Sequence, residues 1–261
     1  MGNVGNSPRT RRNFLAAGGL LAGAALSPIS KANAAPPVGH GGGGGGGHHA
    51  CFLRGTRLLT PDGERKIEDI RIGGLLTTLS GEAKPITWIG RRVYRRSTDG
   101  RYPQSVLPVR VGRCALGPDA PRRDLFISQQ HALWVDGLFI EAIDLIKCSS
   151  ITMHSSVEAS EIEYLHVKLA QHDVIFAEGA PSETLRVHSG NVERFDNFAE
   201  YLRLFGEDAT EEARCAPIAF ESGRERLMSR LRSAVSAWVD CRNGFDKARD
   251  RIEELADLVK S

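Results

Sequence analysis

From Cys51 to about Gly179 the chain alternates short apolar runs with Gly, Pro and Asp punctuation, the pattern of many short strands. In TRLLTPDGERKI (56–67) the pair Asp62-Gly63 separates two such runs, and in HALWVDGLFIEA (131–142) Asp136-Gly137 does the same. An Asp-Gly pair between apolar stretches is a hairpin signal, because both central residues of the tightest turn need positive φ. Further β-type runs are ITWIG (86–90), LPVRVG (107–112), DLFIS (124–128), EYLHVKL (163–169) and DVIFAEG (173–179). The pattern predicts a mainly β core in one domain.

After about residue 190 the period changes. FDNFAEYLRLF (195–205) has helical spacing, as do Leu227, Leu231, Val235 and Trp238, and then Phe245, Ala248, Ile252, Leu255 and Val259. A helical C-terminal extension over 191–261 is expected. Its apolar stripes are expected to pack back on the core, the alternative being capture of a partner.

With 261 residues and 41% hydrophobic content, the chain can bury one good core. A formal net charge of +2, from 34 basic and 32 acidic side chains, argues against a general nucleic-acid grip. The local run Arg91, Arg92, Arg95 and Arg96 reads as a solvated strand or loop edge. Five cysteines at 51, 114, 148, 215 and 241 include no CxxC pair, so a disulfide scaffold is not expected.

The first 34 residues read as an export signal. A basic start holds Arg11-Arg12 with Phe14-Leu15 two residues on, an apolar run too short to span a bilayer follows, and Ala32-Asn33-Ala34 has the small-x-small pattern cut after Ala34. It resembles a twin-arginine signal, with a general secretory signal as the alternative because Ala16 stands where lysine is common. The expected location is periplasmic or extracellular, with no stable membrane span once the signal is removed. Residues 35–50, APPVGHGGGGGGGHHA, form a linker by composition. Its histidines at 40, 48 and 49 lack a scaffold to fix metal geometry, and no cofactor or metal is expected.

Cys51 stands where disorder meets fold, which sets it apart from the other four cysteines. The nearest electrophile is the carbonyl of Ala50, and a thiol becomes a good nucleophile only with a base or a positive environment. Candidate bases are His131, His154, His166, His172 and His188. Ser128 and His131 lie three residues apart at a strand-end turn. His166 and His172 share a face only if one unbroken strand carries both. The residue types alone leave each histidine open to a structural role.

Taken together, CFLRGTRLLTPDGERKIEDIRIGG (51–74), DLFISQQHAL (124–133) and EYLHVKLAQHDVIFAEGAPSE (163–183) resemble the opening, middle and closing motifs of the Hedgehog/intein, or Hint, superfamily. The likeness covers about 51–190 and is nearest to bacterial Hint-domain proteins that are not full inteins. It implies a β-rich horseshoe with a helical extension, acting on its own N-terminal peptide. By position, Cys51 would attack the Ala50 carbonyl and leave a thioester, and His131 would protonate the departing nitrogen. Ser128, where the family commonly has threonine, would position the peptide, and His172 would assist. His166 occupies a place often filled by aspartate, so this alignment assigns no carboxylate base. The region PSETLRVHSGNVERF lacks the His-Asn pair that ends inteins, so the implied reaction is cleavage by water or an unknown small nucleophile, without splicing. A catalytically silent Hint-fold module for binding or surface assembly is the alternative. A cysteine hydrolase acting on other molecules is a third reading, weakened by the lack of a residue to orient a base.

Overall fold

The computed structural model of the protein describes residues 50–146, 148–155, 158–188, 190–206, 212–215, 217–219 and 242–260. The export segment, the linker up to His49, and the stripe at Leu227, Leu231, Val235 and Trp238 lie outside the described residues.

The β pattern folds into two large sheets and a small one. The first sheet contains β1 (Phe52–Leu53), β6 (Trp88–Arg95), β7 (Val109–Val111), β8 (Leu125–Ile127), β11 (Ile151–Met153) and β12 (Glu161–Lys168). Their order is β11-β7-β8-β1-β12-β6, antiparallel throughout. The second contains β2 (Arg57–Thr60), β3 (Gly63–Lys66), β9 (Ala132–Val135), β10 (Leu138–Glu141), β13 (Val174–Ala177), β14 (Ala180–Glu183) and β15 (Ile218–Ala219). It runs β15-β10-β9-β14-β13-β2-β3, and only the β15–β10 pairing is parallel. Strands β4 (Leu75–Thr77) and β5 (Ala83–Pro85) form a separate ribbon.

Turn chemistry explains the hairpins. Asp136 and Gly137 have φ of 49° and 86°, the two left-handed residues of a tight β9–β10 turn. Glu178 and Gly179, at 49° and 85°, repeat this between β13 and β14. The first hairpin differs from the sequence expectation. Its two loop residues are Pro61 and Asp62, and Gly63 (φ 107°) opens β3. Proline holds φ near −65°, which excludes a turn needing positive φ at that position.

Strand alternation sorts the start of the domain onto two sides. Phe52 joins the main core with Leu58, Ile127, Leu133, Val167 and Ile175. Its neighbour Cys51 joins a second cluster with Trp88, Tyr164, Leu185, Phe195 and Tyr201. β12 lies between β1 and β6 and is buried on both faces from Tyr164 to Lys168, so it lacks a polar side. The arginines of β6 sit at its exposed margin: Arg91 pairs with Glu163, Arg92 with Asp196 and Arg95 with Glu161.

The described part of the tail holds two α-helices and, against the all-helical expectation, the short strand β15. α1 (Ala142–Leu145) follows β10, α2 (Phe198–Phe205) occupies the predicted 195–205 stretch, and α3 (Gly244–Lys260) lies near the C-terminus. Asn243 and Asp246 exchange backbone and side-chain hydrogen bonds at 3.0 and 2.8 Å, a reciprocal cap for the start of α3. Phe245, Ala248 and Ile252 enter the main core, so this stripe packs back on its own domain. No described helix is long and apolar enough to cross a membrane.

Candidate active site

The site is built where β1 enters between β8 and β12. Phe52 pairs with Ile127 on one side and Leu165 on the other, which draws Cys51 fully inside. The Cys51 amide donates to Ser128 Oγ at 2.8 Å, and the Ser128 amide donates to the Cys51 carbonyl at 2.9 Å. The residue after the Ala50–Cys51 bond is therefore held at two points. Burial, and secondarily the charge of Glu183, push the Cys51 thiol well above its ordinary range, so at rest it is protonated.

From Ser128 the chain turns through Gln129 and Gln130, with the His131 amide bonded to the Ser128 carbonyl at 3.1 Å. This delivers the His131 ring to Phe52 (centroids 4.2 Å apart) and to His166 (4.9 Å). His131 is completely buried, and neither ring nitrogen has a hydrogen-bond partner among the described residues. Buried polar atoms are rarely left so, and such a group calls for an explanation. Burial, reinforced by the neighbouring His166, lowers its pKa to about 3, so it is neutral near pH 7.

His166 reaches the same place from β12. Its Nε2 lies 3.4 Å from the Glu183 carbonyl, its Nδ1 has no hydrogen-bond partner among the described residues, and the backbone of Ala50 is near enough to favour its charged form. Burial lowers its pKa to about 4, against the opposing pull of Glu183 and these backbone groups. His172 lies outside β12, in the loop before β13, so no continuous strand carries both histidines. It reaches the site beside Phe139, with ring centroids 5.0 Å apart.

Glu183, the last residue of β14, is the group that the sequence motifs did not single out. Its Oε1 accepts the Ala132 amide at 2.8 Å, and its Oε2 lies 3.5 Å from His172 Nε2 and 3.7 Å from Arg214. Burial alone would raise its carboxyl, but His172, His131, His166 and the Ala132 amide more than offset this and hold it below the usual range. One sequence signal pointed here: Ser182-Glu183-Thr184 is a polar patch separated by two residues from the Glu178-Gly179 turn.

A segment beyond the closing motif completes the enclosure. Glu212 is tied to Lys168 at 2.5 Å and to Val187 and Arg186 through its backbone. The Cys215 amide donates to His172 Nδ1 at 3.1 Å, and the Pro217 carbonyl accepts from Phe139 before β15 joins β10. Of the expected site residues, Cys51, Ser128, His131, His166 and His172 are thus brought to one locus. His154 is elsewhere, against Phe126, and His188 follows β14 by five residues, with its amide donating to Asn191 Oδ1 at 3.0 Å. Among the described residues no group of three or more His, Cys, Asp or Glu side chains is arranged to hold a metal ion.

No curated protein matches the chain. Among solved structures, the bacterial intein-like domain from Clostridium thermocellum is 14% identical, aligns over 52% of this chain and 98% of its own length, and gives a TM-score of 0.37. A DnaB intein from Synechocystis is 10% identical over 52% of this chain and 99% of its own, with a TM-score of 0.35. Residues 50–189, just over half of the chain, match the family described as the Hint domain. The chain therefore belongs to the Hint domain family, whose fold is that of a self-processing domain.

Proposed function

We propose that this Hint domain breaks its own Ala50–Cys51 peptide bond by an N-to-S acyl shift and does not splice. The observation that carries the reading is the buried Cys51, clamped by Ser128 at its amide and its carbonyl, with the same Ser128 opening the turn that delivers a buried histidine whose two ring nitrogens have no partner among the described residues. The Cys51 S–H proton passes to neutral His131 as Sγ bonds to the Ala50 carbonyl carbon. The tetrahedral intermediate then collapses, the C–N bond breaks, and His131 returns the proton to the Cys51 nitrogen. The products are an Ala50 thioester and a free Cys51 amine, with no net proton gained or lost. His166, against the Ala50 backbone, orients the acyl side, and Ser128 holds the amine side. Such positioning is the source of much of the acceleration open to a single-turnover site. Water or a small nucleophile then takes the acyl group. The chain has no His-Asn pair after the closing motif to release a downstream segment.

The proposed setting is outside the cytoplasm, after removal of 1–34, with 35–50 as the leaving segment. Intact mass of the exported chain tests both parts. The expected wild-type products are a chain beginning at Ala35 and, with time or added dithiothreitol, one beginning at Cys51. Cys51→Ala should stop at the first product, His131→Ala should slow the second, and Cys148→Ala should leave it unchanged. A wild-type chain still intact after long thiol treatment would leave the silent binding module as the better reading. If Cys148→Ala blocks cleavage as fully as Cys51→Ala, the nucleophile is misassigned.

A further inference from the structure

The burial that keeps His131 neutral creates a difficulty for the acyl shift. While the Cys51 proton is in transit, an imidazolium must exist in a place sealed from water, and an unpaired buried charge is costly. We propose that Glu183 is the fixed counter-charge for that imidazolium, a positioning carboxylate acting on the reaction through His131. The proposal rests on the acyl-shift reading above.

Three observations support it. First, both Glu183 oxygens are held: Oε1 by the Ala132 amide, Oε2 between His172 and Arg214. Ala132 follows His131 directly, so the bond that fixes the carboxylate also fixes its place relative to the histidine. Second, the tautomer of His172 is settled by its neighbours. Its Nδ1 accepts from the Cys215 amide, so its proton sits on Nε2, which lies 3.5 Å from Glu183 Oε2 as an electrostatic contact without hydrogen-bond geometry. His172 therefore turns the N–H end of its ring toward the anion. Third, the carboxylates near the site are driven apart, the pattern of paired groups with different roles. Burial, then Asp144 and Glu183, raise Glu141 to about 7, whereas Glu183 is held ionised.

The charged and titratable groups facing Glu183 can be named element by element. They are Cys51 before β1, His131 before β9, Glu141 at the end of β10, His166 on β12, His172 in the β12–β13 loop, and Arg214 and Cys215 in the tail segment. Arg214 is the one fixed cation among them, and its side chain is 27% exposed against 7% for Glu183. Water screens the cation more than the anion, so the carboxylate dominates the potential inside. The alignment that puts His166 at the aspartate position left the site without a carboxylate. Glu183 supplies one from β14.

The test is Glu183→Gln in the full chain, with cleavage at Ala50 followed by intact mass from acid to neutral pH. Glutamine keeps an acceptor for the Ala132 amide and removes the charge, while turning an NH2 donor toward His172 and Arg214. The expected rate loss is on the order of 100-fold, the low end of what a positioned acid–base group contributes. The acid limb of the rate profile, read as the onset of rate loss within the pH range where tryptophan fluorescence shows each chain still folded, should move to lower pH, because loss of the anion disfavours the imidazolium. A role confined to holding Ala132 would leave that limb in place. Glu183→Asp retains the charge and should keep the wild-type limb with a rate within about tenfold. If the Gln variant does not fold, the Asp variant decides, and a displaced limb in it overturns the proposal. Wild-type cleavage with an unchanged Gln profile refutes the Glu183 role alone, whereas no wild-type cleavage removes the acyl-shift reading and this proposal with it.

Discussion

The two buried, neutral histidines should make the domain strongly acid-sensitive, to an extent that can be worked out. In the unfolded chain an imidazole titrates near 6.5, whereas in the folded chain His131 and His166 titrate near 3 and 4. Between these values the unfolded state binds more protons. Stability is therefore complete above about pH 6.5, falls as the pH drops below it, and stops falling through these groups near their folded values. At about pH 4.5, two units below the unfolded value, each histidine removes about 3 kcal/mol. Two such losses are comparable with the whole stability of a typical domain, about 5–15 kcal/mol. The perturbation is His131→Gln in a Cys51→Ala chain, which stays intact and cannot charge at position 131. Guanidinium unfolding at about pH 7.5 and about pH 4.5 gives the change in stability for each chain, and the His131→Gln chain should lose about 3 kcal/mol less. Equal losses in both would show that His131 is not held neutral, and the account of the site given above would fail with it.

Two further substitutions probe the frame around the site. Ser128→Ala leaves the buried Cys51 amide without its 2.8 Å acceptor and should cost about 1–3 kcal/mol, read as a lower guanidinium midpoint, with slower cleavage at Ala50. Retention of both stability and rate would remove Ser128 from the site. Gly90 lies opposite His166 in the β6–β12 pair, and a Cβ there would stand 2.6 Å from the Phe195 ring. Gly90→Ala should force Phe195 off Trp88, 5.2 Å away between ring centroids, and lower stability by about 1–3 kcal/mol in a thermal melt. An unchanged melt would mean that Phe195 moves freely.

Much of the frame was legible because its causes are local. Asp136-Gly137 marked a hairpin through backbone sterics that act within four residues. The stripe Phe245, Ala248 and Ile252 marked a helix by its period, and the Asn243–Asp246 cap lies within one turn of it. β14 was less visible, since Pro181 reads as a break and Ser182-Glu183-Thr184 reads as a solvated turn. β15 was invisible, because two residues become a strand only through the edge of β10.

The site divides along the same line. The sequence by itself determined the order of the motifs, the cysteine at the border of the linker, and the nearness of Ser128 to His131 within one turn. Only the tertiary structure decided that Cys51 is sealed in, that His131 and His166 pack against each other and Phe52 at tilted or edge-on angles, and that His172 approaches from a loop. It also decided that Glu183, Arg214 and the Cys215 amide belong to the same locus. The physical reason is that burial and charge pairing depend on neighbours from β1, β9, β12, β14 and a tail segment, separated by up to 164 positions from Cys51 to Cys215. A carboxylate that looks like a surface residue in the chain becomes an anion facing three histidines only when those elements close around it.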